Sequence, residues 1–481
     1  MKFHSSLSRP VREESSAVFA VSAVKVAPPR RRRRRLFRHE LRGLLRLAGP
    51  IVVSQLGQVG MNTADTVMVG PLGARALAAA GLGSALHIFA VLFCSGVLVG
   101  MTPVVSQAFG AGEHERCRRT LVQGVWLALA LSVPVALFSA LGGPLAELLG
   151  QQPAVASLAG AYMRALAWGV PPAFVFVAGR QYLEGMGVVK PTMVITFLGV
   201  GLNILANWLL IYGVPGWIPA MGVVGSGWAT TIVRWAMLAG LALLLVRHRR
   251  YLDWRALHWR VERALLARVA RIGAPIGGQL AFEVGLFSFA AVMMGWLGPV
   301  ELAAHQVTIN LASITFMVAL GVSLAGSVRV GHHIGAGRAR AARRAALGTY
   351  LLAVGFMALC ALWFLWVPRT LIGLYTPDPA IIELGARLLF IAALFQVFDG
   401  AQVAGISVLR GSADTRTPML AAAVGYWLVG LPVGYLLAFR TPLRPLGIWA
   451  GFTAGLAAVA ILLALRVRHR FWQTPLEALR A

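Results

Sequence analysis

The stretch PIGGQLAFEVGLFSFAAVMMG, Pro275–Gly295, decides how the rest of the sequence is interpreted. It is long enough to cross a bilayer as one helix, which takes about 20 apolar residues. Its one charged residue is Glu283, near the middle and one turn after Gln279. A charged side chain there costs about 2.5–3.5 kcal/mol on the insertion scale. The segment therefore predicts a carboxyl group that binds a cation or takes up a proton, although a carboxyl held neutral by a local hydrogen bond is the alternative.

The composition is that of a polytopic membrane protein. Of the 481 residues, 58% are hydrophobic and only 13% are charged. Twelve apolar runs can be marked off, so the predicted fold class is an all-α membrane protein with twelve transmembrane helices.

The net charge of +27 is concentrated in alternate loops. This distribution is the positive-inside bias, and it predicts that both termini are cytoplasmic. The basic residues therefore set the topology, and a nucleic-acid partner is not expected. The three cysteines are far apart in sequence, so they indicate neither a disulfide framework nor a metal site.

The first predicted helix, residues 44–69, carries a polar stripe. Gln55, Gln58, Asn62 and Asp65 follow one another at spacings that put all four on one face. Lipid cannot satisfy such a face, so it must meet a partner helix or a water-filled cavity. Asp65 is the second carboxylate predicted within the membrane.

Other polar residues lie inside predicted helices. Asn203 and Asn207 are one turn apart in the fifth helix, where they either join helices or line a cavity. In the eighth helix Gln306 and Asn310 form a stripe beside His305. The tenth helix, 381–408, carries the third carboxylate, with glutamines on the same face: Gln396, Asp399 and Gln402. Helices eleven and twelve hold little polar chemistry, and no obvious Lys is available to pair Glu283.

The sequence contains an internal repeat. TVMVG at 66–70 is echoed by AVMMG at 291–295, and Gly110-Ala111-Gly112 by Gly335-Ala336-Gly337, at one offset of 225 residues. A duplicated six-helix unit predicts two parallel repeats, because an even number of helices returns the chain to the same side. The predicted domains are an Arg-rich, disordered arm at 1–40, an N-lobe at 41–247, an amphipathic cytoplasmic linker at 248–267, a C-lobe at 268–468 and a tail at 469–481.

The two halves differ at the carboxylates. Asp65 corresponds to Ala290, and Asp399 corresponds to Ala173. Glu283 corresponds to Gln58 or its neighbour. Residues of the scaffold were kept in both copies while the buried acids were not, which favours a functional role for the acids over packing.

Several of these features together resemble a known family. The sequence is similar to the multidrug and toxic compound extrusion (MATE) transporters of the bacterial NorM-like branch, over residues 40–468. The matching pieces are ADTVMVG at 64–70, Glu283, AHQ at 304–306, VRVG at 328–331, GAG at 335–337, Gln396, Asp399, LRG at 409–411, Asp414 and Pro418.

The resemblance implies an antiporter that exports amphipathic organic cations in exchange for Na⁺ or H⁺. It assigns ion coupling, and a possible Na⁺ site, to Glu283 and Asp399, and proton or substrate handling to Asp65. Phe395 stands where some Na⁺-coupled relatives have a tyrosine, and this removes one oxygen from the set that Na⁺ requires. No organic cofactor is expected, and we expect a monomer.

The sequence leaves other functions to be tested. A flippase of lipid-linked precursors in the same superfamily would need a basic cavity, and the carboxylates argue against one. An enzyme would need a nucleophile–base pair or a metal cluster, and no such motif is present in the sequence. A passive channel is not excluded, but asymmetric buried carboxylates in two lobes favour alternating access.

Overall fold

The computed structural model describes residues 30–248, 251–253 and 256–473. Within these ranges the regular structure is helical, apart from one bridge between Val214 and Ile218. The helices are α1 (Arg30–Val69), α2 (Ala74–Val99), α3 (Met101–Ala111), α4 (His114–Ala140), α5 (Gly142–Leu148), α6 (Pro153–Ala167), α7 (Val170–Gly185), α8 (Lys190–Tyr212), α9 (Gly222–Arg247), α10 (Arg263–Leu297), α11 (Pro299–Gly335), α12 (Ala339–Trp366), α13 (Pro368–Gly373), α14 (Pro379–Gly411), α15 (Arg416–Ala422), α16 (Leu431–Arg440) and α17 (Pro445–Arg468).

The described helices make a polytopic membrane protein. Ten helical units are long and apolar enough to cross a bilayer, and α6 with α7 forms one further span that bends by 47°. α1 completes the set of twelve, although its polar stripe makes it less apolar than the others. The predicted fold class is confirmed.

The second half of the chain repeats the order of elements in the first half. The continuous unit of α2 and α3 corresponds to α11, and the bent pair of α6 and α7 corresponds to α14. Even the short helix α5 has a counterpart in α13. A π-helical segment, Ala423–Gly430, joins α15 to α16 within one span.

The first helix of each lobe packs on the second helix of the other lobe. α10 lies against α2, and α1 lies against α11. A Cβ atom added to Gly96 would lie only 2.6 Å from the Cα atom of Gly277, so these two helices touch backbone to backbone. At the corresponding place in the other pair, a Cβ on Gly321 would lie 2.5 Å from Val52 Cγ2. The lobes therefore make two equivalent close contacts.

The Arg-rich loops gather at one end of the bundle, which we term the Arg-rich end. It comprises the start of α1, the loops after α3, α7, α11 and α14, and the end of α17. Ion pairs connect these segments: Arg119 pairs with Glu262, and Arg329 pairs with Glu40. Residues distant in sequence are thus held together on the side that carries most of the positive charge.

The prediction that residues 1–40 form a disordered arm is wrong for residues 30–40, which the structure describes. α1 begins at Arg30, well before the predicted start near residue 44. Glu40 is only 4% exposed and accepts hydrogen bonds from Arg329 at 2.8 Å and from His333 at 3.1 Å. Burial raises the pKa of Glu40, but these hydrogen bonds outweigh it and hold the pKa at about 2. Residues 1–29 lie outside the described part.

The linker between the lobes is mostly not helical where it is described. Residues 257–262 have no regular structure, and α10 starts at Arg263. The linker lies against the N-lobe, since Gln123 donates to the carbonyl of Arg260 and Tyr182 donates to that of Tyr251. The amphipathic linker contains two tryptophans, of which Trp259 is half exposed and Trp254 lies outside the described residues.

Candidate ion and substrate sites

Two of the predicted carboxylates come together inside the C-lobe. Glu283 projects from the middle of α10, and Asp399 projects from α14 and is 6% exposed. The two charges interact electrostatically. Gln279, one helical turn before Glu283, donates a hydrogen bond of 3.4 Å to its carboxylate. The C-lobe thus holds two acids close enough for each to feel the charge of the other.

The sequence offers no obvious Lys to pair Glu283, but the structure places an arginine near this carboxyl group. Arg410 lies in the last turn of α14 and is only 7% exposed. Its Nη2 atom is 3.5 Å from Oε1 of Gln279, and its charge acts on Glu283. The spacing could have indicated this, because Arg410 follows Asp399 by 11 positions, close to three helical turns, and so lies on the same face.

A tyrosine that the sequence analysis missed completes the cluster. Tyr426 lies in the π-helical segment and is 1% exposed. Its hydroxyl lies beside the amide of Gln402 and within electrostatic range of Glu283 and Asp399. π-Helical segments inside α-helices occur often at functional sites. The expectation that helix eleven holds little polar chemistry is therefore wrong.

Amide oxygens around Asp399 lack hydrogen-bond partners. Gln396 and Gln402 flank Asp399 on the same face of α14, and both are buried. Gln396 donates to Thr315, yet Oε1 of each glutamine is buried without a partner. Buried polar atoms normally have partners, so these two oxygens are candidate ligands for a bound cation. Carboxylate, amide and phenol oxygens form the donor set that a hard cation such as Na⁺ requires.

Aromatic side chains pack in the C-lobe next to this cluster, on the side away from the Arg-rich end. Phe395 is buried and stands edge-on to Trp449, with ring centroids 5.5 Å apart. His305 is 1% exposed, and its ring centroid is 5.8 Å from that of Trp449. Phe395 therefore has a packing role in this chain, and Tyr426 supplies a phenol from another helix.

The third carboxylate belongs to a separate cluster in the N-lobe. Asn207 donates a hydrogen bond of 2.5 Å to Asp65 and also lies 3.2 Å from the side-chain oxygen of Asn203. Both asparagines are fully buried between α8 and α1. Asn207 therefore joins α8 to α1 through Asp65, which is one of the two alternatives that the sequence leaves open.

The N-lobe cluster also contains an arginine, which is half-buried. The charge of Arg234, on α9, acts on Asp65, and its Nη1 atom is 3.5 Å from Nε2 of His87. Thr230, one turn earlier on α9, also faces Asp65. Each lobe thus combines a carboxyl group with a guanidinium group, but with different residues.

The remaining predicted site residues lie on the parts of α1 and α11 that point away from the Arg-rich end. Gln58 and Asn62 on α1 are exposed, as are Gln306 and Asn310 on α11, whereas Gln55 is half-buried. Asn310 accepts a hydrogen bond of 2.9 Å from the hydroxyl of Tyr375. On both helices these residues lie on the far side of the Gly321–Val52 contact from the Arg-rich end. The polar faces of α1 and α11 are thus exposed, whereas close contacts hold the lobes together toward the Arg-rich end.

Comparison with protein families identifies the chain. The model of the MatE family matches residues 50–209 and 275–436, once in each lobe. The chain belongs to the MatE family. The resemblance to MATE transporters drawn from the sequence is therefore confirmed, and with it the assignment of the protein to a family of membrane transporters.

Curated relatives match along nearly the whole chain. A probable multidrug resistance protein NorM of Mesorhizobium japonicum is 39% identical over 444 residues, which covers 90% of this chain and 95% of that protein. The corresponding protein of Bradyrhizobium diazoefficiens is 37% identical, with 88% and 92% covered. The similarity includes both lobes.

Solved structures share the fold of this MATE protein. The crystal structure of the eukaryotic MATE transporter AtDTX14 superposes with a TM-score of 0.81 at 21% identity, covering 92% of this chain and 98% of that one. An outward-facing conformation of a multidrug resistance MATE family transporter gives the same TM-score and identity, with 93% and 98% covered. At this identity the likeness concerns the fold alone.

Proposed function

We propose that this MATE protein is a multidrug efflux antiporter, which exports amphipathic organic cations in exchange for Na⁺ or H⁺. The observation that carries the proposal is the C-lobe cluster, in which Glu283 interacts with the buried Asp399 and the glutamines flanking Asp399 have unpartnered amide oxygens. The names of the relatives, multidrug resistance protein NorM, support efflux of drugs. As a transporter, the protein moves its substrate without chemical conversion.

The electrostatics of the cluster explain how exchange would work. Two carboxylates that interact in a low-dielectric interior repel each other, and Arg410 offsets only part of their charge. A cation or a proton at Glu283 and Asp399 relieves this repulsion. An ion entering the site therefore competes with a bound organic cation, and a site emptied of the ion favours one.

The donor set supports both coupling ions. Phe395 lacks the oxygen that a tyrosine would offer at that position, but Tyr426 brings a phenol to the same cluster from another helix. Together with the two carboxylates and Gln402, it gives Na⁺ several oxygen ligands. The same carboxylates could instead exchange protons, so the identity of the ion requires experiment.

We further propose that the protein lies in the bacterial inner membrane with its Arg-rich end and both termini in the cytoplasm. The positive-inside bias supports this orientation. The polar faces of α1 and α11 then lie toward the outside. Asp65 in the N-lobe and the exposed residues Gln58, Asn62, Gln306 and Asn310 would meet the exported cation there.

Transport from proteoliposomes tests the proposal. Vesicles that contain the purified protein and a fluorescent lipophilic cation are diluted into buffers that impose either an inward Na⁺ gradient or an inward proton gradient. We expect one gradient, and not an equal gradient of K⁺, to drive loss of the dye. Equal dye retention in protein-containing and empty vesicles under both gradients would refute the proposal.

A lipid-linked precursor flippase is the second candidate, and one observation favours it. Each lobe holds an arginine inside it, the half-buried Arg234 or the buried Arg410, that could hold a phosphate. A relative from Pyrococcus furiosus was described as having a binding pocket of reversed polarity, which suggested a different function for that protein. Complementation of a flippase-deficient strain would support this candidate. Dye efflux without complementation would exclude it.

A further inference from the structure

Besides the Glu40 pair, two hydrogen bonds to backbone carbonyl groups link the lobes at the Arg-rich end. Gln107, on α3 of the N-lobe, donates from Nε2 to the carbonyl oxygen of Gly411 at 3.0 Å. His332, on α11 of the C-lobe, lies with its Nε2 atom 2.7 Å from the carbonyl oxygen of Gly185. A carbonyl oxygen only accepts, so Nε2 of His332 carries the proton. Each contact runs from a side chain of one lobe to the last residue of a helix in the other.

The two contacts are counterparts of each other. His332 follows Gln107 by 225 positions, the offset of the internal repeat, and Gly411 follows Gly185 by 226. The same donor position therefore reaches the same acceptor position in both directions across the axis that relates the lobes. We term these four residues, Gln107, Gly185, His332 and Gly411, the reciprocal latch.

Close backbone contacts surround the reciprocal latch. A Cβ atom on Gly110 would lie 2.2 Å from the carbonyl oxygen of His332. At the repeat-related position, a Cβ on Gly335 would lie 2.0 Å from the carbonyl oxygen of Gln107. Only glycine at these two sites allows the lobes to approach closely enough for the hydrogen bonds to form. Ser106 and Gly331, which are repeat counterparts, also touch each other here.

The polar residues on the exposed faces of α1 and α11 take no part in these contacts, since those faces lie on the other side of the Gly321–Val52 contact. The ends of four helices, α3, α7, α11 and α14, meet at the reciprocal latch. These helix ends lie between the lobes at the Arg-rich end, where a path for a solute between the lobes would emerge. The latch is thus placed to close such a path.

We infer that Gln107 and His332 are positioning residues for transport, which close the path at the Arg-rich end and release together when the lobes open there. This inference rests on the proposed function, because opening at both ends in turn is what antiport requires. The twofold arrangement makes the release cooperative, since separating the lobes at one contact also separates the other. Each hydrogen bond shifts the equilibrium between closed and open lobes by roughly fivefold, which corresponds to the net contribution of one ordinary hydrogen bond.

Distance measurements between the lobes test the inference. Spin labels are attached at two exposed positions of the Arg-rich end that are repeat counterparts, Glu115 and Arg340, in a full-length background without the native cysteines. The distance distribution is recorded by electron–electron double resonance in nanodiscs, without substrate or coupling gradient. We expect Gln107→Ala and His332→Ala each to enlarge the long-distance population about fivefold, and the double variant to enlarge it further.

An exchange variant separates the latch from general damage. Since the two positions are equivalent, Gln107→His combined with His332→Gln keeps a donor on each side and should restore the closed distribution. An unchanged distribution in the double alanine variant would overturn the inference, as would an exchange variant as open as that double variant. These distances do not depend on transport. If the distances change as expected but the wild-type protein shows no dye efflux, only the proposed function is contradicted.

Discussion

Asn207 donates a hydrogen bond of 2.5 Å to Asp65, although the two residues are 142 positions apart in the chain. The contact fixes α8 to α1 and gives the buried carboxylate a donor inside the N-lobe. Asn203 and Thr230 lie beside the same carboxylate. The carboxylate of Asp65 therefore lies in a polar site that these side chains form.

Replacing the donor should reveal this coupling. We expect Asn207→Leu to lower the free energy of unfolding by about 1–3 kcal/mol, because a buried acceptor loses its partner. The double variant with Asp65→Asn should lose less than the sum of the two single variants. Thermal or denaturant unfolding of the purified proteins measures both effects, and strictly additive losses would contradict a direct interaction.

The C-lobe carboxylates should be needed for transport and not for insertion. We expect Glu283→Gln or Asp399→Asn to reduce dye efflux to the level of empty vesicles, with unchanged amounts of protein in the membrane. Glu383→Gln is the matched control, because Glu383 lies on the same helix as Asp399 in an exposed pair with Arg369. Wild-type resistance in cells that carry either C-lobe variant would rule out ion exchange at this cluster.

Removing the hydroxyl of Tyr426 should weaken ion binding. Tyr426→Phe keeps the buried ring and deletes one oxygen beside Glu283 and Asp399. We expect the concentration of coupling ion needed for half-maximal efflux to rise about tenfold, which corresponds to one charge-assisted interaction of about 1.4 kcal/mol. Tyr435→Phe, on the exposed face of α16, should leave it unchanged. The same ion requirement in both variants would exclude Tyr426 from the site.

The ion pair of Glu40 should make the closed lobes sensitive to acid. The pKa of Glu40 is held at about 2, below its ordinary value of 4.5, so the carboxylate stabilises the folded protein fully above pH 4.5. This stabilisation is lost as the pH falls from 4.5 toward 2. We expect Glu40→Gln to cost about 3 kcal/mol at neutral pH and to flatten the decline in stability below pH 4.5.

Acid unfolding of the purified variants measures this contribution. Glu115→Gln serves as the control, because its pair with Arg118 is exposed and contributes little. A Glu40→Gln protein that follows the wild-type curve between pH 7 and pH 3 would show that the pair does not join the lobes.

The repeat and the helix faces could be predicted from the sequence because both are periodic. The offset from Gly110 to Gly335 marks the duplicated unit, and the spacing of Gln396 and Gln402 around Asp399 puts them on one face. Both features depend only on distances along the chain. The structure confirms the two six-helix repeats that follow from the first.

Contacts between helices could not be predicted in the same way. Tyr426 meets Glu283 because a π-helical segment turns it into the C-lobe, and no spacing in the sequence encodes that meeting. The tenth helix is predicted to end at residue 408, but α14 continues to Gly411 and Arg410 is buried within it. α1 extends back to Arg30 since Glu40 finds partners on α11, which are 289 and 293 positions away.

Direct binding tests the central claim most simply, since ion and drug should compete for the C-lobe carboxylates. The affinity of the purified protein for tetraphenylphosphonium, a lipophilic cation, is measured by calorimetry as Na⁺ or proton concentration is raised separately. We predict that one of the two ions weakens binding about tenfold or more, and that the dependence disappears in the Glu283→Gln, Asp399→Asn double variant. An affinity that ignores both ions, or a double variant that responds as the wild type does, would contradict the account.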